Sequence, residues 1–316
     1  MKTNKYKIII DTDPGVDDSA CLIYSFFNEL LEIKLITSVA GNVGIDTGTR
    51  NLLHIMEIFN VDIPVAKGAS APLCRISEGA EFIHQKEGLG GYIPPRSVSR
   101  KTSSQHAVEV IYNTIMAGDG DIIPVLLGPQ TNFGLLFTKH PDVIEKIPKI
   151  VFMGGSPYGD PNYPTHISFN ASFDPEAMKI VLDSGIPLIM VPSVIGRKKA
   201  HLDEEYVNRL KERGDVGKLL YYMYSLYWEP SFPDKRIATN DTCALFALTH
   251  PHLFKTKRCF VDINTDSAPG KTVITESERG NVELVTDANR EEFLEVLDKE
   301  LERYKDLHLN ASFPNN

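Results

Sequence analysis

Short apolar runs alternate with amphipathic stretches along most of the chain. Ile8, Ile9 and Ile10 form a continuous apolar run that predicts a buried strand, and a second run over 20–27 starts a helix. Residues 33–40 read as the next strand. Over 47–59, Leu52, Leu53, Ile55, Met56 and Ile58 fall on one helical face. Further strands are predicted at 64–67, 122–127, 149–153 and 187–191, with helices at 104–116 and from Thr131 onward. Asp174-Pro175-Glu176 is a helix start, with Asp as cap, Pro in the first position and Glu in the first turn. A long helix rich in tyrosine at its end is predicted over 201–228, and an apolar one opens after Ala238 and runs to Leu248. Short strands near Phe260, Thr272 and Val282 and a helix over about 291–304 finish the chain. Strands separated by helices in this way predict parallel βαβ units.

Two stretches break the rhythm. Residues 68–104 hold His84, the glycines Gly88, Gly90 and Gly91, and Pro94-Pro95; residues 156–173 form a second irregular segment. Long loops inside a compact domain are usually functional or disordered. The first suits a lid hinged on its glycines; the alternative is a plain surface excursion. In the second, Asn162 and Asn170 carry amides suited to sugar hydroxyls.

Composition narrows the partners. Hydrophobic content of 42% and charged content of 24% are those of a globular protein, and 316 residues allow one large α/β domain or two small ones. A net charge of −9 argues against nucleic acid or an anionic membrane surface as the main partner. Apolar runs stay far below the roughly 18 residues that span a bilayer. The short polar start, Met1 to Lys7, leaves no room for a signal peptide. Cys21, Cys74, Cys243 and Cys259 show no paired spacing and read as reduced thiols of a cytoplasmic protein.

The chemistry gathers in one turn. Asp11, Asp13, Asp17 and Asp18 fall within eight residues, between the first strand and the first helix, with Pro14-Gly15 forcing the chain round. In open α/β sheets ligands bind at that edge. Carboxylates so close repel one another, and all-oxygen ligands favour a hard cation, Ca²⁺ or Mg²⁺. The competing reading is a solvated turn with N-capping aspartates. Beyond Gly128-Pro129, Thr131 and Asn132 read as helix caps or as the edge of a turn whose carbonyls face a cation. Asp241 alone reads as an N-cap. The aromatic residues from Tyr221 to Trp228 read as core or interface, with one or two rings free to flank a ligand. Arg197-Lys198-Lys199 reads as a solvated face.

The segment Asp-Thr-Asp-Pro-Gly-Val-Asp-Asp at 11–18 resembles the N-terminal signature of the inosine–uridine-preferring nucleoside hydrolases. The resemblance runs from about residue 7 to 300 and is carried by further segments in the same order: His84 before Gly88-Leu89-Gly90, Leu127-Gly128-Pro129 with Thr131-Asn132, Phe169-Asn170 before Asp174-Pro175-Glu176, and Asn240-Asp241. It implies a single-domain α/β fold over 1–316, with a mostly parallel, Rossmann-like central sheet flanked by helices. It also implies Ca²⁺-dependent hydrolysis of the N-glycosidic bond of a ribonucleoside, as in nucleoside salvage. Calcium would be held by Asp13, Asp18, the Thr131 carbonyl and Asp241, and Asp13 would take the proton of the attacking water. Asp17, Asn42, Asn162 and Asn170 would grip the ribose, His84 would reach the base, and Met153 and Ser168 would also contact substrate. Homodimers or homotetramers are the family expectation.

The chain departs from the pattern at three positions. Gln85 stands where the family has glycine. Ser168 replaces a glutamate that would bind a sugar hydroxyl. Asn240 replaces the histidine that protonates the leaving base, and an amide cannot deliver a proton at neutral pH. Other readings therefore stand beside the main one: a hydrolase of an altered nucleoside or other N-riboside, a ribose- or nucleoside-binding protein that has lost catalysis, and, from Asp11-Thr12-Asp13 alone, a phosphatase with an aspartate nucleophile. Candidates for the leaving-group acid are His84, a tyrosine of 221–227, or water.

Overall fold

The isoleucine run becomes β1 (Tyr6–Thr12), whose last five residues are all buried, as befits a central parallel strand covered on both faces. A computed structural model describes residues 5–76, 78–156, 167–228, 234–311 and 313. After β1 come α1 (Val16–Phe26), β2 (Leu31–Ser38), α2 (Ile45–Ile58) and β3 (Val65–Lys67). A short α3 (Glu81–His84) punctuates the first irregular segment, before α4 (Ala107–Met116), β4 (Ile122–Leu126), α5 (Thr131–Lys139) and β5 (Ile150–Met153). A short α6 (Phe169–Phe173) is followed by α7 (Pro175–Leu182) and β6 (Leu188–Val191). A π-helical turn over Ile195–Lys199 leads to α8 (Glu204–Arg209), α9 (Gly214–Ser225) and α10 (Asn240–Thr249). The chain closes with β7 (Phe254–Ile263), β8 (Thr272–Glu276), β9 (Val282–Ala288) and α11 (Arg290–Glu302).

The strands form one sheet in the order β3-β2-β1-β4-β5-β6-β9-β7-β8. Pairing is parallel from β3 through β9, and β7 is antiparallel to both β9 and β8. Side chains alternate across a strand, so Ile8 and Ile10 join one core while Ile9 joins the other. Leu22, Leu52, Leu219, Phe246 and Phe293 fill the first face, and Ile111, Phe133 and Met178 the second. Each fully buried isoleucine contributes about 1.5–3 kcal/mol. The chain moves outward from β1 to β3, then returns to place β4 on the other side of β1. That reversal opens a crevice at the carboxyl ends of β1 and β4.

The α/β expectation holds, with one clear correction. The helix expected over 201–228 is broken into α8, a 3₁₀ turn at Leu210–Glu212, and α9. Gly214, at the break, takes φ +66°, a left-handed backbone that cannot continue a right-handed helix. The strands near Phe260 and Val282 are also longer than expected and extend the main sheet. Among the described residues no helix is long and apolar enough to cross a membrane.

Candidate active site

Where β1 hands over to α1, Asp18 organises the turn. Its Oδ1 accepts from Thr12 Oγ1 and from the Asp13 N–H at 3.1 Å, and its Oδ2 from the Gly15 N–H at 3.2 Å and Asn42 Nδ2 at 2.8 Å. The charge also sits in the first turn of α1, where the helix dipole favours an anion. Asn42 ties β2 to the same point: its backbone N–H donates to Asp13 Oδ2 at 2.7 Å. Gly41 and Gly128 leave room for the Asp13 carboxylate, since a Cβ at either would come within 2.0 or 2.7 Å of it. Asp11 faces away, accepting from Thr37 Oγ1 and, at 2.7 Å, from Asn132 Nδ2. It thereby joins β1 to β2 and to the start of α5.

Asp241 enters from α10, one residue inside the helix; Thr239, not Asp241, is the N-cap. Oxygens of Asp17, Asp18 and Asp241 lie within 4.8 Å of one another. All three and Asp13 are at most 5% exposed. Asp13 Oδ1, Asp17 Oδ1 and Asp241 Oδ1 are buried with no hydrogen-bond partner among the described residues. Burial first, and then the neighbouring carboxylates, push Asp13 and Asp241 well above the usual carboxylate range and Asp17 up to about 7. Buried charges are normally paired or bound to metal, so three buried carboxylates this close, with Asp17 and Asp241 each keeping an oxygen without a partner among the described residues, fit a hard divalent cation. Thr131, also assigned to the metal from sequence, is the first residue of α5 rather than its cap, and its Oγ1 donates to Asp174 Oδ2 at 2.7 Å. Asp174 does cap α7, as expected, accepting from the Ala177 N–H at 3.0 Å.

Above the cluster lies a cavity of about 440 Å³. Of the sequence candidates, Asp17, Asn42, His84, Met153, Ser168, Asn170 and Asn240 line it; Asp18 and Asp241 lie against Asp17 and Asp13 beside Asp18, all buried, and Thr131 is buried but does not line the cavity. Asn162 lies outside the described residues. Ser168 Oγ accepts from the Gly155 N–H at 2.7 Å. Asn170 Nδ2 donates to the carbonyls of Leu127 and Met153, which leaves the amide oxygen for a ligand. Asn240 Nδ2 reaches Asp17 Oδ2 at 3.4 Å.

His84 is buried, and its Nδ1 accepts from the Val16 N–H at 3.0 Å. That bond assigns the proton of the neutral ring to Nε2. Burial lowers the His84 pKa to about 4, against the opposing pull of Asp18. Its ring centroid is 5.0 Å from that of Tyr227. In the first irregular segment Gln85 takes φ +66° without being glycine.

Of the aromatic run, Tyr227 and Trp228 flank the cavity, in keeping with the one or two rings the sequence allowed for, while Tyr224 stays in the core. Other wall residues were not foreseen. Arg197, expected on a solvated face, lines the cavity instead. The cause is the π-helical turn, an irregularity that no sequence period announces. Phe82, Ile167 and Ser193 line it too, and nothing in their sequence pattern marked them; Phe169, part of a segment that carried the resemblance, also lines it.

The comparisons agree with this geometry. A family model described as inosine-uridine preferring nucleoside hydrolase matches residues 8–295. Non-specific ribonucleoside hydrolase RihC of Klebsiella pneumoniae is 35% identical over 269 residues, covering 84% of this chain and 87% of the relative. The protein of the same name from Salmonella typhi is 34% identical over 274 residues, covering 86% and 88%. Among solved structures, a purine-preferring ribonucleoside hydrolase from Gardnerella vaginalis superposes with a TM-score of 0.86 at 25% identity, covering 96% of this chain and 100% of that one. With the family model matching most of the chain and relatives 34–35% identical over most of its length, the chain belongs to the inosine–uridine-preferring nucleoside hydrolase family, whose members are hydrolases acting on N-glycosyl bonds.

Proposed function

We propose that this protein hydrolyses the N-glycosidic bond of ribonucleosides with the aid of Ca²⁺, giving ribose and a free base for salvage. The observation that carries the reading is the set of buried carboxylate oxygens of Asp13, Asp17 and Asp241 that have no hydrogen-bond partner among the described residues, next to a nucleoside-sized cavity that Asp17 lines. Asp13, Asp18, Asp241 and the Thr131 carbonyl would hold the ion, with Asp17 close enough to share it. When bound, the cation neutralises the cluster and makes water a stronger nucleophile.

The residues of the chain do the rest. Asp13 Oδ1 accepts the proton of the attacking water, while Oδ2 stays fixed by the Asn42 N–H. Asp17, Asn42 and Asn170 bind the ribose, with Asn162 assigned to the same task from sequence, and Met153 packs beneath it. Positive charge builds on the sugar in an oxocarbenium-like transition state, and the surrounding carboxylates stabilise it electrostatically. Tyr227, Trp228 and His84 flank the base. The free cysteines suit a reducing, cytoplasmic setting, and we expect a homodimer or homotetramer.

A second reading is favoured by Ser168, whose neutral hydroxyl already accepts from Gly155. It is hydrolysis of a nucleoside altered at the sugar. Reducing-sugar release from a panel of purine and pyrimidine ribonucleosides and deoxynucleosides, with Ca²⁺ and with chelator, tests both. Release that stops with chelator and returns with Ca²⁺ is expected. No release from any nucleoside, with Ca²⁺ bound, would overturn the main reading.

A further inference from the structure

We infer that Arg197 binds the departing base and stabilises its developing negative charge, so that the base leaves as an anion rather than being protonated as it goes. The inference rests on the hydrolase reading above and deepens it.

Besides Asp17, which the reading above assigns to the sugar and the cation, the polar side chains that line the cavity include His84, Ser193, Arg197, Tyr227 and Asn240. None is suited to protonate a leaving base at neutral pH. Asn240 is an amide, and its Nδ2 is turned toward Asp17. His84 uses Nδ1 to accept from Val16, so it is a neutral ring with one N–H, able to donate a hydrogen bond but not to give up that proton. Burial reinforces this neutral state. The Tyr227 hydroxyl is hydrogen-bonded to Asp17. Serine is too weak an acid.

Arg197 offers something different, a permanent cation with several N–H donors in a planar fork. The fold delivers it to the right place. The π-helical turn Ile195–Lys199 packs on the first residues of α10, where the Thr239 N–H reaches the Gly196 carbonyl at 3.5 Å. Gly196 lies so close to Asn240 that a Cβ there would stand 2.6 Å from its backbone N and its Oδ1. Arg197 is therefore the neighbour of the very position that lacks an acid, and it lines the same cavity half-buried.

The step balances without a proton donor. The oxygen of water bonds to the anomeric carbon and Asp13 takes the proton. The glycosidic C–N bond breaks, its electron pair passing to the ring nitrogen. The base anion, held by the guanidinium, collects a proton from solvent after release. Rates should then follow the acidity of the leaving base.

The test compares the full-length wild type with Arg197→Met and Arg197→Lys on uridine and on 4-nitrophenyl β-ribofuranoside, whose phenolate leaves unaided. Arg197→Met should lower kcat/KM for uridine by about 10- to 100-fold, the range of a charge-assisted hydrogen bond. It should cost the aryl riboside much less, and Arg197→Lys should restore part of the loss. Equal losses on both substrates, or a loss of less than about threefold on uridine, would overturn the assignment. Calorimetric binding of xanthine, above and below its first ionisation, needs no turnover. Wild type should bind the anion about tenfold more tightly than Arg197→Met does, and equal affinity refutes the proposal. If neither substrate is cleaved by wild type but the xanthine difference holds, the hydrolase reading falls and the anion site stands.

Discussion

Asp11 allows a prediction whose size follows from its surroundings. The carboxylate is fully buried. Oδ1 accepts from Thr37 and Asn132, but Oδ2 has no partner among the described residues. Burial outweighs the two hydrogen bonds and raises its pKa from 3.8 to about 7. The folded chain therefore keeps a proton that the unfolded chain releases above about pH 4. Stability from this group is fully present below the unfolded pKa and is lost as pH rises to the folded one. At about 1.4 kcal/mol per unit, the whole shift amounts to about 4 kcal/mol. Asp11→Asn removes the titration and keeps an oxygen for Thr37 and Asn132. Relative to wild type, the variant should gain about 3 kcal/mol between pH 5 and pH 7 and stay level above that. Urea unfolding of both proteins measures this, in chelator so that no cation alters the pKa. A difference between the two proteins that does not change with pH would refute the reasoning.

Three further outcomes are expected. Asp13→Ala should lower turnover by about 10²–10⁴-fold, the usual weight of a positioned base, with circular dichroism unchanged; activity within tenfold of wild type sinks the base assignment. Asn240→His should raise activity on inosine or change base preference, because it returns an acid to the wall beside Arg197; identical kinetics on every nucleoside would place position 240 away from the base. Gln85 sits at φ +66° and ψ 165°, a region that costs a non-glycine residue about 1–3 kcal/mol. Glycine loses about 0.5–1 kcal/mol of this to chain entropy, so Gln85→Gly should raise stability by about 1 kcal/mol in urea; a destabilised variant contradicts the strain.

The parallel half of the sheet was legible because its strands are short apolar runs closed by Gly or Pro turns. Ile8–Ile10, 122–127 and 149–153 could be little else once helices were seen between them. What escaped was decided by backbone irregularity. The sequence around Gly214 keeps helical spacing of its apolar residues on both sides, so periodicity reads straight through a break that one left-handed glycine makes. The antiparallel edge is masked for another reason. β7 is exposed from Lys255 to Arg258 and again at Phe260 and Asp262, so its apolar alternation is confined to Cys259, Val261 and Ile263.

The site divides along the same line. Residues at strand ends were readable because the β1–α1 turn concentrates them, and a carboxylate in such a turn has few roles. The opposite wall was legible only in part, because it is assembled from segments far apart in the chain: His84 of α3 and Asn240 of α10 were named through the resemblance, and one or two rings near Tyr227 and Trp228 were allowed for, but Phe82 of α3 and Arg197 of the π turn were not foreseen. Arginine in a run of basic residues looks solvated in one dimension. One extra residue in a helical turn re-aims it, and the neighbouring glycine clears the space against Asn240. The position that lost an acid and the one that presents a fixed cation are thus 43 residues apart in sequence yet brought together by that glycine. Such a pair bears on leaving-group chemistry only after the fold is known. The acidic cluster follows from local sequence, and the wall that holds Arg197 and Asn240 follows from the packing of α10 on the turn before α8.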